Sequence, residues 1–219
     1  MSSIEARGLT KRFGLHTVLE DVSFVVPAGA RVALLGANGA GKSTLLEVIS
    51  TLASPSAGGG SVAGFDLEAD AAEVRRRVGV LAHRPMLYEQ LSSLENLEFF
   101  ARLYGVEDAP TRIEELLRAV GLWRRRHEHV EVLSRGYHQR LAMARALVHR
   151  PPVLLLDEPE TGLDEEALAL LDELMLVAPE VTVLAATHRR ERVAQWADDA
   201  ISLEGGRVLE ASVPLEARA

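Results

Sequence analysis

Gly36, Gly41, Lys42 and Ser43 stand at the spacing GxxxxGK followed by a hydroxyl residue, inside the stretch GANGAGKST that runs from Gly36 to Thr44. That spacing suits a phosphate chain. Glycines let consecutive backbone N–H groups curl round phosphate oxygens, and the start of a following helix favours negative charge. Lys42 would reach the terminal phosphates and Ser43 would hold a divalent cation. The expected nucleotide-binding set is Gly36, Ala37, Asn38, Gly39, Ala40, Gly41, Lys42, Ser43 and Thr44. Such a cation also needs a carboxylate at the end of a neighbouring strand. VLLLDE, Val153 to Glu158, supplies Asp157 for it. Glu158, the next residue, would face the γ-phosphate and polarise the attacking water as a general base.

The elements that must hold these residues are legible as patterns. Arg31 to Leu35 is an apolar strand entering the loop, and Ser43 to Thr51 has helical spacing. Before them, Ile4 to Val26 alternates apolar segments with turn residues, as a small antiparallel sheet does. SPSAGGGS, residues 54 to 61, has loop composition, and a short hairpin is expected around Ser61 to Leu67. From about residue 87 to 150 apolar residues recur at helical spacing, among them Ile113, Leu116, Leu117 and Val120, so a helical segment is inserted there. Strands return at Pro152 to Leu156 and Val181 to Ala185, with a helix from Glu165 to Val177 between them. A last hairpin spans Ala200 to Leu209 and turns at Glu204, Gly205 and Gly206. The pattern is α/β with a parallel core.

Composition narrows the partners. A chain of 219 residues, 47% hydrophobic, can bury a sizeable core. Its apolar runs fall short of the roughly 18 residues that a membrane-spanning helix needs. The N-terminus lacks the apolar core of a secretory signal, so a cytoplasmic location is expected. Cysteine is absent, which removes disulfides, thiolate metal sites and cysteine catalysis. A formal charge of −8 argues against broad nucleic-acid binding, so no nucleic-acid partner is expected. Lys11 and Lys42 are the only lysines among 24 basic residues. An ammonium kept inside the glycine-rich loop suits phosphate oxygens as a compact charge.

Further motifs, in order, resemble the nucleotide-binding domain of ABC transporters over essentially the whole chain. LSRGYHQR, Leu133 to Arg140, resembles that family's signature, commonly LSGGQ. TGLD, Thr161 to Asp164, resembles its D-loop, and Thr187-His188 after a core strand resembles its switch histidine. Phe13 stands where the family places an aromatic that stacks on adenine, with Val18 beside it. The resemblance implies one ABC domain, 1–219, with a P-loop NTPase (RecA-like) core, an antiparallel β subdomain and an inserted helical subdomain at about 87–150. It implies ATP and Mg²⁺ as ligands. It also implies that two copies face head to tail, so that Ser134, Arg135, Gly136 and Tyr137 of one cover the ATP held by Lys42 of the other. His188 would then contact the γ-phosphate and align Glu158 with water, and Asp164 would carry information across the interface. The implied partners are a second copy and integral-membrane subunits, with the chain peripheral on the inner face of the cell membrane.

Three positions depart from the family's commonest pattern. His83 occupies the place of a glutamine that senses Mg²⁺ and the attacking water. Arg135 replaces a glycine in the signature, while Tyr137 and His138 shift its glutamine to Gln139. Glu160 follows Pro159 where an uncharged residue is more usual. With Leu91 to Gly105 (LSSLENLEFFARLYG) and the LSRG signature, His83 is similar to the ATPase subunit of the haem exporter of cytochrome c maturation. Other multi-subunit exporters, of drugs, lipids or polysaccharides, are the alternative. A soluble ABC ATPase acting on ribosomes or DNA would resemble tandem domains or carry long coiled-coil insertions, and a regulator without turnover would lack the acidic pair or the histidine.

Overall fold

The first strands follow from alternation. On β2 (His16–Pro27) Leu19, Val22, Phe24 and Val26 are buried while Glu20, Ser23, Val25 and Pro27 face outward, the period of a half-covered sheet. β2 pairs antiparallel with β1 (Ser2–Phe13), with Ile4 opposite Val26. The computed structural model describes residues 2–161, 168–169 and 180–211.

β1 pairs on its other side with β4 (Ala57–Val62), so part of the stretch expected to be a loop, residues 54–61, is a strand. The glycines there serve close approach. A Cβ on Gly60 would lie 2.3 Å from the Glu5 carbonyl oxygen, and one on Gly58 would lie 2.1 Å from that of Gly8. β5 (Phe65–Asp66) completes an antiparallel sheet in the order β2-β1-β4-β5, and with β4 forms the expected short hairpin.

The central sheet has six strands in the order β10-β9-β3-β8-β7-β6. β3 (Arg31–Leu35) lies between β8 (Thr182–Thr187) and β9 (Asp199–Glu204), parallel to both. β7 (Val153–Asp157) pairs parallel with β8 on one side and with β6 (Val78–Leu81) on the other. β10 (Arg207–Ala211) adds an antiparallel edge to β9. β7 and β8 are buried along their whole lengths, as strands covered on both faces are. β6, only four residues long, and the short, arginine-rich helix before it, α2 (Ala71–Arg77), were not expected from the sequence.

One face of this sheet packs on α1 (Lys42–Ile49) and the antiparallel sheet, through Leu34, Leu45, Val48, Ile49 and Leu184. The other face meets Ala142 and Met143 of α5 (Arg135–Leu147) and Val193 and Trp196 of α6 (Arg190–Trp196). A third cluster joins α3 (Ser93–Tyr104), α4 (Ala109–Ala119) and α5 through Leu97, Ala101, Ile113, Leu117 and Leu141. α3 opens with reciprocal bonds between Ser92 and Glu95 and closes at Gly105 in the left-handed region. The helical stretch expected over 87–150 is thus present, with α3 starting later than its first residues. The helix expected from Glu165 to Val177 lies outside the described residues, apart from residues 168–169.

Candidate active site

The parallel register brings the chemistry together. Leu35, the last residue of β3, is paired with Thr187 of β8, and Asp157, the last of β7, with Ala186. The next residues along the three strands are Gly36, His188 and Glu158. They emerge side by side at the carboxyl edge of the sheet, where open parallel sheets place ligands.

Gly36 to Gly41 cross from β3 to α1. Gly41 precedes the helix at φ 103°, a conformation that disfavours a side chain. A Cβ on Gly36 would meet the Leu203 carbonyl oxygen at 2.4 Å. Gly206 of the last hairpin donates its N–H to the Ala40 carbonyl at 3.2 Å, so the β9–β10 turn braces the loop. Lys42 is buried and donates to the carbonyls of Gly36 at 2.8 Å and Ala37 at 3.1 Å, which places its ammonium inside the loop's curve.

A cleft of about 430 Å³ opens over this loop. Val18, Asn38, Gly39, Gly41, Lys42, Ser43, Thr44, His83, Asp157 and Glu158 line it. Of the other residues expected in the nucleotide site, Ala40 is buried beneath the loop. Phe13 ends β1, is 53% exposed and does not line the cleft. The Lys11 ammonium sits 5.0 Å from the centre of its ring, a cation–π contact.

Ser43 hydrogen-bonds the Asp157 carboxyl. Burial pushes that carboxyl above its ordinary value of 3.8, and the neighbouring Glu158 charge acts the same way; the Ser43 bond, His83 and Lys42 oppose them. A hydroxyl and a carboxylate are oxygen donors suited to a hard dication that also takes phosphate oxygens. Among the described residues no group of three or more acidic or histidine side chains could hold a metal alone.

Glu158 adopts φ 48°, in the left-handed region, which costs a non-glycine residue about 1–3 kcal/mol and is found where function over-determines the backbone. Its N–H still bonds the Ala186 carbonyl at 2.9 Å, so the kink turns the side chain without freeing the strand end. His188 Nδ1 lies 3.4 Å from Oε1 of Glu158, and the Thr161 hydroxyl lies 3.4 Å from Oε2. Each carboxylate oxygen has a neighbour that fixes its direction.

Ser134 precedes α5 as its cap, and Arg135 is its first residue, so the expected helix start is present. Ser134 and Arg135 are exposed, and a Cβ on Gly136 would meet nothing within 4 Å. Tyr137 packs against the guanidinium groups of Arg125 at 4.7 Å and Arg140 at 5.8 Å from its ring centre. A second cleft of about 200 Å³ runs between this helix start and the acidic strand end, lined by His83, Arg135, His138, Gln139, Asp157 and Glu158 among others. His83 therefore faces both clefts. Asp164 lies outside the described residues.

Against known proteins, the model of the ABC transporter family matches residues 19–161. The ABC transporter ATP-binding protein NatA of Bacillus subtilis is 38% identical over 196 residues, 87% of this chain and 80% of the relative. The chain belongs to the ABC transporter family. It is an ABC ATPase with the P-loop NTPase fold. Two other relatives are also 38% identical: the Nod factor export ATP-binding protein I of Burkholderia lata, over 98% of this chain and 72% of the relative, and the phosphonates import ATP-binding protein PhnC of Frankia casuarinae, over 95% and 89%. Among solved structures, an ATP-binding subunit of an ABC transporter superposes with TM-score 0.92 at 34% identity, covering 99% of this chain and 91% of that one. A dimeric, post-hydrolysis ATP-binding cassette bound to ADP and Pi superposes with TM-score 0.83 at 28% identity, covering 94% and 97%.

Proposed function

We propose that the chain is the motor subunit of an exporter whose membrane-spanning parts are separate chains, and that residues 1–219 act as one ATP-binding unit with the helices of 87–150 as its inserted arm. One observation carries this: Lys42, Ser43, Asp157 and Glu158 line a single cleft, and His188 stands 3.4 Å from the Glu158 carboxylate.

Backbone N–H groups of Gly36 to Thr44 and the Lys42 ammonium would bind the phosphates. Ser43 and Asp157 would hold Mg²⁺, with His83 beside them. When bound, that ion would neutralise charge on the β- and γ-phosphates. Glu158 would accept the proton of the attacking water, and His188 would fix the direction of that carboxylate and contact the γ-phosphate. Val18, which lines the cleft, would pack beside the adenine, and Phe13 would turn its exposed ring to it. Ser134 and Gly136, at the exposed start of α5, would complete the site of a second copy, with Arg135 and Tyr137 at the rim. Asp164 would join the two sites.

Two of the relatives above favour opposite directions, export of Nod factors and import of phosphonates. Export is the reading here, because LSRG and the 91–105 segment are similar to exporter subunits. The narrower cargo reading, haem, rests on those features and His83 alone; the two relatives named for a cargo are named for Nod factors and phosphonates. Among the described residues no helix is long and apolar enough to cross a membrane. Together with the acidic charge, that supports a chain placed on the inner face of the membrane through partners rather than on nucleic acid.

Purification from membranes with a tag on this chain tests the reading. An integral-membrane protein should accompany it, and Glu158→Gln should run as a dimer with ATP and as a monomer with ADP. A chain that never brings down a membrane subunit contradicts the transport role. Unaltered c-type cytochromes in cells lacking the chain contradict haem as cargo.

A further inference from the structure

Glu160 departs from the family's common pattern, and the reading above gives it no task. Its side chain is 7% exposed, an unusual place for a carboxyl. It sits two residues beyond Glu158, after the left-handed turn at that residue, and receives a hydrogen bond from the Thr187 hydroxyl. Thr187 is itself buried, is the last residue of β8, and directly precedes His188. Its hydroxyl oxygen also accepts the Arg189 N–H at 3.0 Å. The hydroxyl is therefore engaged on both sides of His188: by Glu160 from the end of β7, and by the backbone one residue further on.

Two cross-links thus join the ends of neighbouring strands, crossed in sequence order. Glu158 faces His188, and Glu160 faces Thr187. The outer pair lies half open to solvent while the inner pair is buried beneath it. The turn that carries both carboxyls is tied at two further points. Gln139 of α5 donates to the Pro159 carbonyl at 3.3 Å, and the Thr161 N–H bonds the Glu158 carbonyl at 3.0 Å. A buried bond with little freedom fixes backbone better than an exposed pair can.

We propose that Glu160 is a positioning residue for hydrolysis: by accepting the Thr187 hydroxyl it fixes the backbone under His188 and so holds His188 against Glu158. This rests on the roles given above to Glu158 and His188. The link is specific to an acceptor at position 160, because the Thr187 hydroxyl must donate there while accepting from Arg189.

The test is steady-state ATP hydrolysis by the purified chain with Mg²⁺, beside binding of a fluorescent ATP analogue, for Glu160→Ala, Glu160→Gln, Thr187→Val and the double variant Glu160→Ala with Thr187→Val. Glu160→Ala and Thr187→Val should each lower kcat about tenfold and leave nucleotide affinity within about twofold, since a transition-state alignment is lost and ground-state binding is not. Glu160→Gln, which keeps an oxygen acceptor, should retain most of the turnover. The double variant should be no slower than the slower single one, as expected for two ends of one bond. Thr187→Val keeps shape and tests the bond even where Glu160→Ala fails to fold. Wild-type turnover in Thr187→Val, or losses that multiply in the double variant, would overturn the proposal. A wild-type chain without ATP hydrolysis, or a Glu158→Gln chain with full activity, contradicts instead the reading on which it rests.

Discussion

His188 presents Nδ1 3.4 Å from Oε1 of Glu158, across the ends of two adjacent parallel strands. The pair joins the residue read as general base to the residue read as switch without any loop between strand and side chain. Strand ends are stiffer than loops, so the register of β7 against β8 sets the geometry of the proposed chemistry.

His188→Ala should therefore slow ATP hydrolysis about 10²-fold, as removal of one aligned polar group from a reacting centre does, with ATP affinity little changed. Single-turnover hydrolysis beside equilibrium binding checks this. A matching loss of affinity would instead make His188 a ground-state contact.

Asp157 carries a cost in stability. Burial raises its folded-state pKa above 3.8, so as pH rises from that value the unfolded chain loses its proton first, and folding stability falls until pH passes the raised value. Above the raised value the whole penalty is present. Asp157→Asn removes it and should raise Tm near pH 7. The same variant should lose Mg²⁺-dependent hydrolysis. Thermal unfolding at pH 7 and at pH 4 measures it; the gain should shrink at the lower pH.

His149 makes the opposite prediction in the helical layer. Burial first, and then the charges of Arg145 and Arg112, lower its pKa to about 4 from 6.5, with the Val78 backbone acting against them. Its ring stacks on Tyr104 at 3.9 Å. The contribution of a neutral His149 is fully present above pH 6.5 and is lost as pH falls towards about 4, because the unfolded chain takes up the proton first. His149→Phe keeps the stacking and removes the titration. Denaturant midpoints from pH 7 to pH 4.5 should fall less steeply in that variant than in the wild type.

Much of the site was legible because each residue has a separate chemical task at a fixed spacing. Gly36, Lys42 and Ser43 announce phosphate, and a strand ending in Asp157 and Glu158 announces a cation and a base. The turn composition of residues 54–61 misled, since glycine marks loops and also marks strands that approach too closely for side chains; Gly58 and Gly60 do the second. β6 was missed because four residues next to a short, arginine-rich helix give no usable period. Phe13, read as the residue that stacks on adenine, stands exposed at the end of β1 with the Lys11 ammonium over its ring. Glu160 was legible only as a departure. Its burial against Thr187 depends on the kink at Glu158 and on strand register, and neither is written in local sequence.

The central claim, that Glu158 is the base of an ATP-hydrolysing site, is tested most directly by ATP turnover and ATP affinity in Glu158→Gln. Turnover should fall about 10²–10⁴-fold, the range for loss of a general base, while the variant binds ATP as tightly as the wild type. Hydrolysis by Glu158→Gln at the wild-type rate would contradict the account.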